Sequence, residues 1–382
     1  MTRGTLALLF VAVGLTAAAP IAAQPPGQSD LAANAALKYW QAFAQLPTPD
    51  EAQQKQLGEW STLPPDAAHK LLAATGVEKS LQYLHRGARL PRCDWSLDYE
   101  DGIGLLLPQL SRARTLTVYA CLRARLAFAD GRSAEGLDDA LAVMALGRHV
   151  AVDPIMVSLL VGYALEQQAV NVLAPVLPKL DAAALRRLGE GLDGLPSAAT
   201  IEQALIMEQR YFSGWAIRWL KDLERSRAGD LRAKVRALLS DDSEDSKAIL
   251  KLVDDGSAKR LIQALEDLGP FYEEQRRLAG LRRDQFLAQW PDAQKRQSAN
   301  PVAHAILPAL EKVVDARDRA RARLALLKAA IAVVRDGQGA LAQHPDPFGS
   351  GPFEYKALPR GFELRSKLVL KGEPVTLTIG PK

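Results

Sequence analysis

Residues 120–149, ACLRARLAFADGRSAEGLDDALAVMALGRH, decide the fold class. Val118, Tyr119, Leu122 and Leu126 recur at helical spacing until Asp130-Gly131-Arg132-Ser133 interrupts them, and Leu137, Leu141, Met144 and Ala145 then resume the period. Two apolar-faced runs around a four-residue polar break predict a helix, a tight turn and an antiparallel helix. The composition points the same way. Aromatics make up only 6% of the 382 residues while Leu and Ala dominate, which favours helix over strand.

Working outward, Asp153-Pro154 predicts the cap and first turn of a third helix through Ile155, Leu159, Leu160 and Tyr163. Further starts are expected at Asp181, Ser197 and Asn300-Pro301, and residues 198–240 and 301–335 read as two extended helices. Prolines divide the chain: none lies between Pro196 and Pro270, but six of the 23 fall in the last 38 residues. The tail alternates apolar with polar over 353–358, 362–370 and 375–379, which predicts three short antiparallel strands. So small a sheet needs a partner, and the preceding helix is the natural one. The hairpin at 120–149 resembles the tetratricopeptide type, with small residues where the helices touch, but no second copy follows at the repeat length. The expected fold is therefore mainly α: an irregular stack of helical hairpins, in part tetratricopeptide-like, over 31–338, and a small β module over 339–382.

The N-terminus reads as a leader. Arg3 supplies a positive start, Leu6 to Ala19 is a 14-residue apolar stretch, and Ile21-Ala22-Ala23 offers a cleavage site before Gln24. Fourteen residues are fewer than the roughly 20 that span a bilayer, so residues 1–23 are expected to be a signal peptide, 24–30 a linker and the mature chain periplasmic or secreted. A net charge of +4, lowered by one when Arg3 is removed, gives no reason to expect nucleic acid. Two cysteines in an exported chain, Cys93 and Cys121, are candidates for one disulfide, with a buried thiol at Cys121 as the alternative.

The search for chemistry leaves few places to look. None of the five histidines, at 69, 85, 149, 304 and 344, stands in a zinc spacing, and the chain has no phosphate loop, dinucleotide fingerprint or nucleophile elbow. No metal or other cofactor is expected. Asp94, Asp98, Glu100 and Asp101, near Trp95 and Tyr99, form the best acidic cluster, suited either to a ligand or acid–base site or to capping the helix that follows. Asp241-Asp242-Ser243-Glu244-Asp245 lacks the spacing and glycine of a calcium loop and reads as a solvated linker. Tyr211, Trp215 and Trp219 fall at i, i+4 and i+8, one helix face, as core or as a ligand or partner surface. Arg276, Arg277, Arg282 and Arg283 are accompanied by Glu273, Glu274 and Asp284, so they make no nucleic-acid patch.

Residues 93–116, CDWSLDYEDGIGLLLPQLSRARTL, together with the hairpin and the opening NAALKYWQAF at 34–43, resemble a group of exported, functionally uncharacterised helical proteins of planctomycete-type bacteria. The likeness covers roughly residues 30–200, rests on Cys93, Asp94, Trp95, Asp98, Tyr99 and Gly102 in order, and implies no activity. Asp346-Pro347-Phe348-Gly349 with Gly351-Pro352-Phe353-Glu354-Tyr355 is similar to the motif that opens the C-terminal sheet of type II secretion pseudopilins. The chain lacks their prepilin start and their acidic calcium loop, so neither calcium binding nor pilus assembly is implied. The function expected from all this is a non-catalytic interaction or scaffold module of the cell envelope, binding envelope proteins, with no membrane span after leader removal. The alternative is an envelope enzyme or ligand-binding protein with an acidic site at Asp94–Asp101.

Overall fold

Helices α5 (Pro108–Ala129) and α6 (Ser133–Val150) form the hairpin at the centre of the first core. Its turn closes with Arg132 N–H donating to Ala127 O at 2.7 Å and Gly131 N–H to Phe128 O at 3.3 Å, the two bonds of a Schellman turn. The computed structural model describes residues 33–197, 199–226, 229–239 and 242–381. The expected leader at 1–23 and linker at 24–30 lie outside the described residues.

Around the hairpin stand α1 (Ala35–Ala44), α2 (Glu51–Gly58), α3 (Pro65–Thr75), α4 (Glu78–Ala88), α7 (Met156–Leu173) and α8 (Ala182–Asp193). One buried charge cluster ties three of them together. Asp139 on α6 is fully buried, receives Arg123 Nε and Nη2 from α5 at 2.8 and 2.6 Å, and lies 2.6 Å from His85 Nε2 on α4.

The crossing of α6 and α7 is tighter than side chains would allow. A Cβ added at Gly162 would lie 2.5 Å from Gly147 O, and one at Gly147 would lie 2.9 Å from Gly162 O. One turn beyond, Arg148 pairs with Glu166 at 2.6 Å, and burial lifts the Glu166 carboxyl above its ordinary range while Arg148 opposes that shift.

The second core is built from shorter helices: α9 (Ile201–Glu208), α10 (Gly214–Ser226), α11 (Leu231–Leu238), α12 (Glu244–Lys251), α13 (Lys259–Glu266), α14 (Gly269–Ala279), α15 (Arg283–Ser298) and α16 (Pro301–Ile306). The long α17 (Leu310–Asp336) runs through both: Leu310, Val313 and Val314 belong to the second core, Ala322 through Val333 to the first. Its 27 residues span about 40 Å at 1.5 Å per residue.

Several expected boundaries shift, each for a local reason. The third helix starts at Met156, because Ile155 is extended and Asp153 is drawn into a turn that accepts Ile155 N–H. The expected start at Ser197 falls at Thr200, whose hydroxyl accepts Gln203 N–H in a capping box. The single helix expected over 198–240 is three, with a π turn at Gln209–Ser213 and a new N-cap at Asp230. That expected over 301–335 is broken where Leu307 turns extended ahead of Pro308.

The tail forms one antiparallel sheet, β1 (Glu354–Leu358), β2 (Gly361–Leu370) and β3 (Glu373–Ile379), in the order β1-β2-β3, with β2 and β3 against α17. Phe362, Leu364, Leu368 and Leu370 point inward along β2, and so does Ser366. Buried Asp346 meets that polar intruder: its carboxylate accepts Ser366 Oγ–H at 2.9 Å, Lys367 N–H at 2.5 Å and Phe348 N–H at 3.0 Å. The Asp-Pro-Phe-Gly motif thus closes an irregularity in the β2–β3 register. Among the described residues no helix is long and apolar enough to cross a membrane.

Gly162→Ala is expected to destabilise the protein by about 1–3 kcal/mol through overpacking, although alanine is the better helix former. Gly189→Ala on α8, where nothing lies within 4 Å, is expected to do the opposite by up to about 1 kcal/mol. Urea unfolding of the two variants measures both, and equal effects would rule out the backbone contact.

Candidate functional site

The two residue sets singled out from the sequence meet in space, but not in the way either predicts. Trp95 anchors the segment between α4 and α5: its ring stacks on Tyr39 and Phe43 at 5.7 and 6.0 Å, and its Nε1–H donates to His149 O at 2.8 Å. His149, fully buried, lies 2.8 Å from the Tyr39 hydroxyl through Nδ1. From this anchor the chain runs into a 3-10 turn, Tyr99–Gly104, which packs on the π turn and on α10.

The four carboxylates of that segment are exposed, and three of them are locally occupied. Asp94 accepts Ser96 N–H at 2.8 Å, Asp98 accepts Glu100 N–H at 3.1 Å, and Glu100 pairs with Arg218 at 3.1 Å. Asp101 is exposed at the turn. They shape the turn rather than line a cavity. The disulfide expectation is corrected here: Cys93 and Cys121 are both free and buried. Their surroundings differ, since Cys93 sits by Tyr39 and Asp153 while Cys121 faces Asp139, and burial pushes both thiols up.

The aromatic stripe divides at the π turn. Tyr211 packs tilted against Tyr99 at 4.6 Å, whereas Trp215 and Trp219 stack on each other at 5.8 Å and line a cleft of about 540 Å³. Gly102 seats the 3-10 turn on Trp215: at φ +56°, it lies so close that an added Cβ would fall 2.1 Å from the indole. Beyond the tryptophans, Phe212 of the π turn, Ile103 and Leu238 complete the rim, and Ile249, Leu261 and Leu265 the buried wall. Ile103 is 51% exposed, so the rim is open to solvent.

The polar groups of the cleft are few. Glu208, the last residue of α9 before the π turn, accepts Met156 N–H at 3.0 Å, and burial lifts its carboxyl above the ordinary range. Close to it, Tyr272 shares a hydrogen bond of 3.1 Å with Ser213, and burial pushes its phenol up to about 12. Asp245 lies 2.5 Å from His304 Nδ1. The stretch read as a solvated linker therefore does more: Asp241 lies outside the described residues, but Ser243 caps α12 and Asp245 reaches the cleft. Lining residues come from seven separate helices, so no local pattern could have assembled them. Glu208 carried no signal either, since Gln209 and Arg210 follow it in an ordinary polar stretch.

A larger cavity, about 620 Å³, lies between α15, α17 and the sheet, and its arginines are mostly neutralised. Arg283 pairs with Asp315 at 2.6 Å, Arg317 with Asp318 at 2.9 Å and Arg282 with Asp284 at 2.8 Å, while Arg321 rests on the Phe348 ring. The aromatic cleft, by contrast, leaves Trp215 and Trp219 partly open to solvent and carries no arginine. Among the described residues no three His, Cys, Asp or Glu gather to hold a metal ion. No known protein family, curated protein or solved structure matches the chain.

Two outcomes follow from this geometry. Gly102→Ala is expected to cost about 1–3 kcal/mol and to change the emission of Trp215, because the indole must move or the turn must lift; unchanged fluorescence and urea midpoint would refute the seating. Burial holds His149 at about 4 against an ordinary 6.5, so below 6.5 the unfolded chain takes a proton that the folded chain refuses. Its contribution to stability is complete above 6.5 and is lost as the pH falls towards 4. The stability difference between the parent and His149→Gln should accordingly narrow by about 1–2 kcal/mol between about pH 7 and pH 5, read from urea curves at both.

Proposed function

We propose that this is a non-catalytic binding protein of the cell envelope that holds a small apolar ligand in the cleft of its second core. The observation that carries the reading is the 540 Å³ cleft faced by Trp215 and Trp219, within the size range and apolar character of small-molecule sites. Stacked indoles supply large rigid contact area at little entropic cost, and here they remain partly open to solvent instead of being filled from behind. The π turn supports the same reading, since the extra residue re-aims the side chains on either side of it and such turns gather at functional sites. The envelope setting rests on the leader-like residues 1–23 and on the likeness of residues 30–200 to exported helical proteins.

Nile red, a neutral dye that brightens in apolar surroundings, is the test ligand. The parent is expected to bind it one to one, and Trp215→Ala and Trp219→Ala are each expected to weaken binding by about tenfold or more, as truncation of a central aromatic anchor does. Equal affinity in the parent and both variants would overturn the reading.

A further inference from the structure

The charge on the cleft wall restricts what the apolar ligand can carry. Its lining residues include two carboxylates, Glu208 and Asp245, and no Lys, Arg or His. Asp245 has His304 as a partner. Glu208 has only the Met156 N–H, and among the described residues no cation pairs with it. Its neighbour is Tyr272, and Phe212, Trp215 and Trp219, which follow it along the same helical run, line the same cleft. A partly buried carboxylate without a counter-ion is costly, whereas a cation beside it and over indole faces gains both an ion pair and a cation–π contact.

We infer that the ligand of this cleft is a cationic amphiphile, an apolar chain or ring system bearing an amino or ammonium group, with Glu208 receiving the charged head and Trp215 and Trp219 holding the apolar body. The inference rests on the proposed binding function and adds the class of ligand. A carboxylate-headed lipid of the same size would meet Glu208 and Asp245 as like charges and is selected against. Burial of the Glu208 carboxyl is consistent with this, since a bound cation would restore the ionised form that burial disfavours.

The experiment uses the full chain and three probes of equal length, octylammonium, 1-octanol and octanoate, each displacing Nile red. The expected order of affinity is ammonium over alcohol over carboxylate, with about tenfold at the first step, the size of one added charged hydrogen bond. Glu208→Gln is expected to abolish the advantage of the ammonium over the alcohol. Equal displacement by the ammonium and the alcohol in the parent would overturn the head-group inference and leave the cleft itself standing. If no probe displaces the dye, or if displacement is the same in Trp215→Ala, the binding function falls with it. The head-group series in the parent decides the matter even if Glu208→Gln does not fold.

Discussion

The contact between Gly147 and Gly162 sets the frame on which everything else is hung. Where two helices meet backbone to backbone, their axes come closer than side chains of any size permit, and the angle between them is fixed by the main chain itself. That fixes α7 on the first core along most of its length, with Val161, Leu165 and Ala169 buried there, and projects its first turn, Met156 and Leu159, into the second. The Arg148–Glu166 pair reinforces the crossing one turn away, but it is the replaceable part: a buried pair can be exchanged for apolar packing, whereas a backbone contact cannot be exchanged for a side chain. Helix α17 makes the same bridge from the other end of the chain. Two helices that each belong to two cores couple the cores mechanically, which the many short helices of the second could not do alone.

From that frame the cleft follows. Met156 N–H, at the start of α7, binds Glu208, so the position of α7 also holds the last turn of α9 in place. The π turn comes next in the chain, and its altered phase splits the aromatic stripe: Tyr211 turns to Tyr99 and closes the side towards the first core, while Trp215 and Trp219 face the cavity. Gly102 then allows the turn from the first core to lie flat on Trp215. The cleft is thus formed by an element of each core, and the residues that shape it are chiefly those that hold backbone where side chains would not fit.

The hairpin, the helical body and the three-stranded tail were legible because each depends on short-range periodicity: 3.6 in α5 and α6, two in β2 and β3. Capping residues were legible where one side chain decides, as at Asp181 and Asn300, both of which cap the helices that follow. What could not be read were departures created by distant neighbours. No glycine or proline lies within Gln209–Ser213 to mark it as a π turn, and the turn that leaves Ile155 extended is closed by a backbone bond to Asp153. The candidate site divides in the same way. Trp215 and Trp219 could be singled out by spacing, but not the seven helices that contribute to their cleft. The acidic residues 94–101 attracted notice by density, yet density is what a tight turn before a helix also requires, and their hydrogen bonds are those of turns and caps.

The position of Glu208 separates a binding cleft from a packing defect. An imperfectly filled core would be lined by apolar groups alone, and its closure by one larger side chain would be favourable. Here the cleft retains a carboxylate that burial disfavours, beside a buried Tyr272–Ser213 pair and in the same cavity as two tryptophans that remain partly open. The uncompensated carboxylate and the partly open indoles each cost stability in the free protein. Together they lower the cost of taking in one particular kind of molecule, because a cation with an apolar body relieves the carboxylate and covers the indoles at once. Destabilising groups that share one cavity and would be relieved by one ligand are what a binding site requires, even where one of them, Glu208, also receives the first N–H of α7.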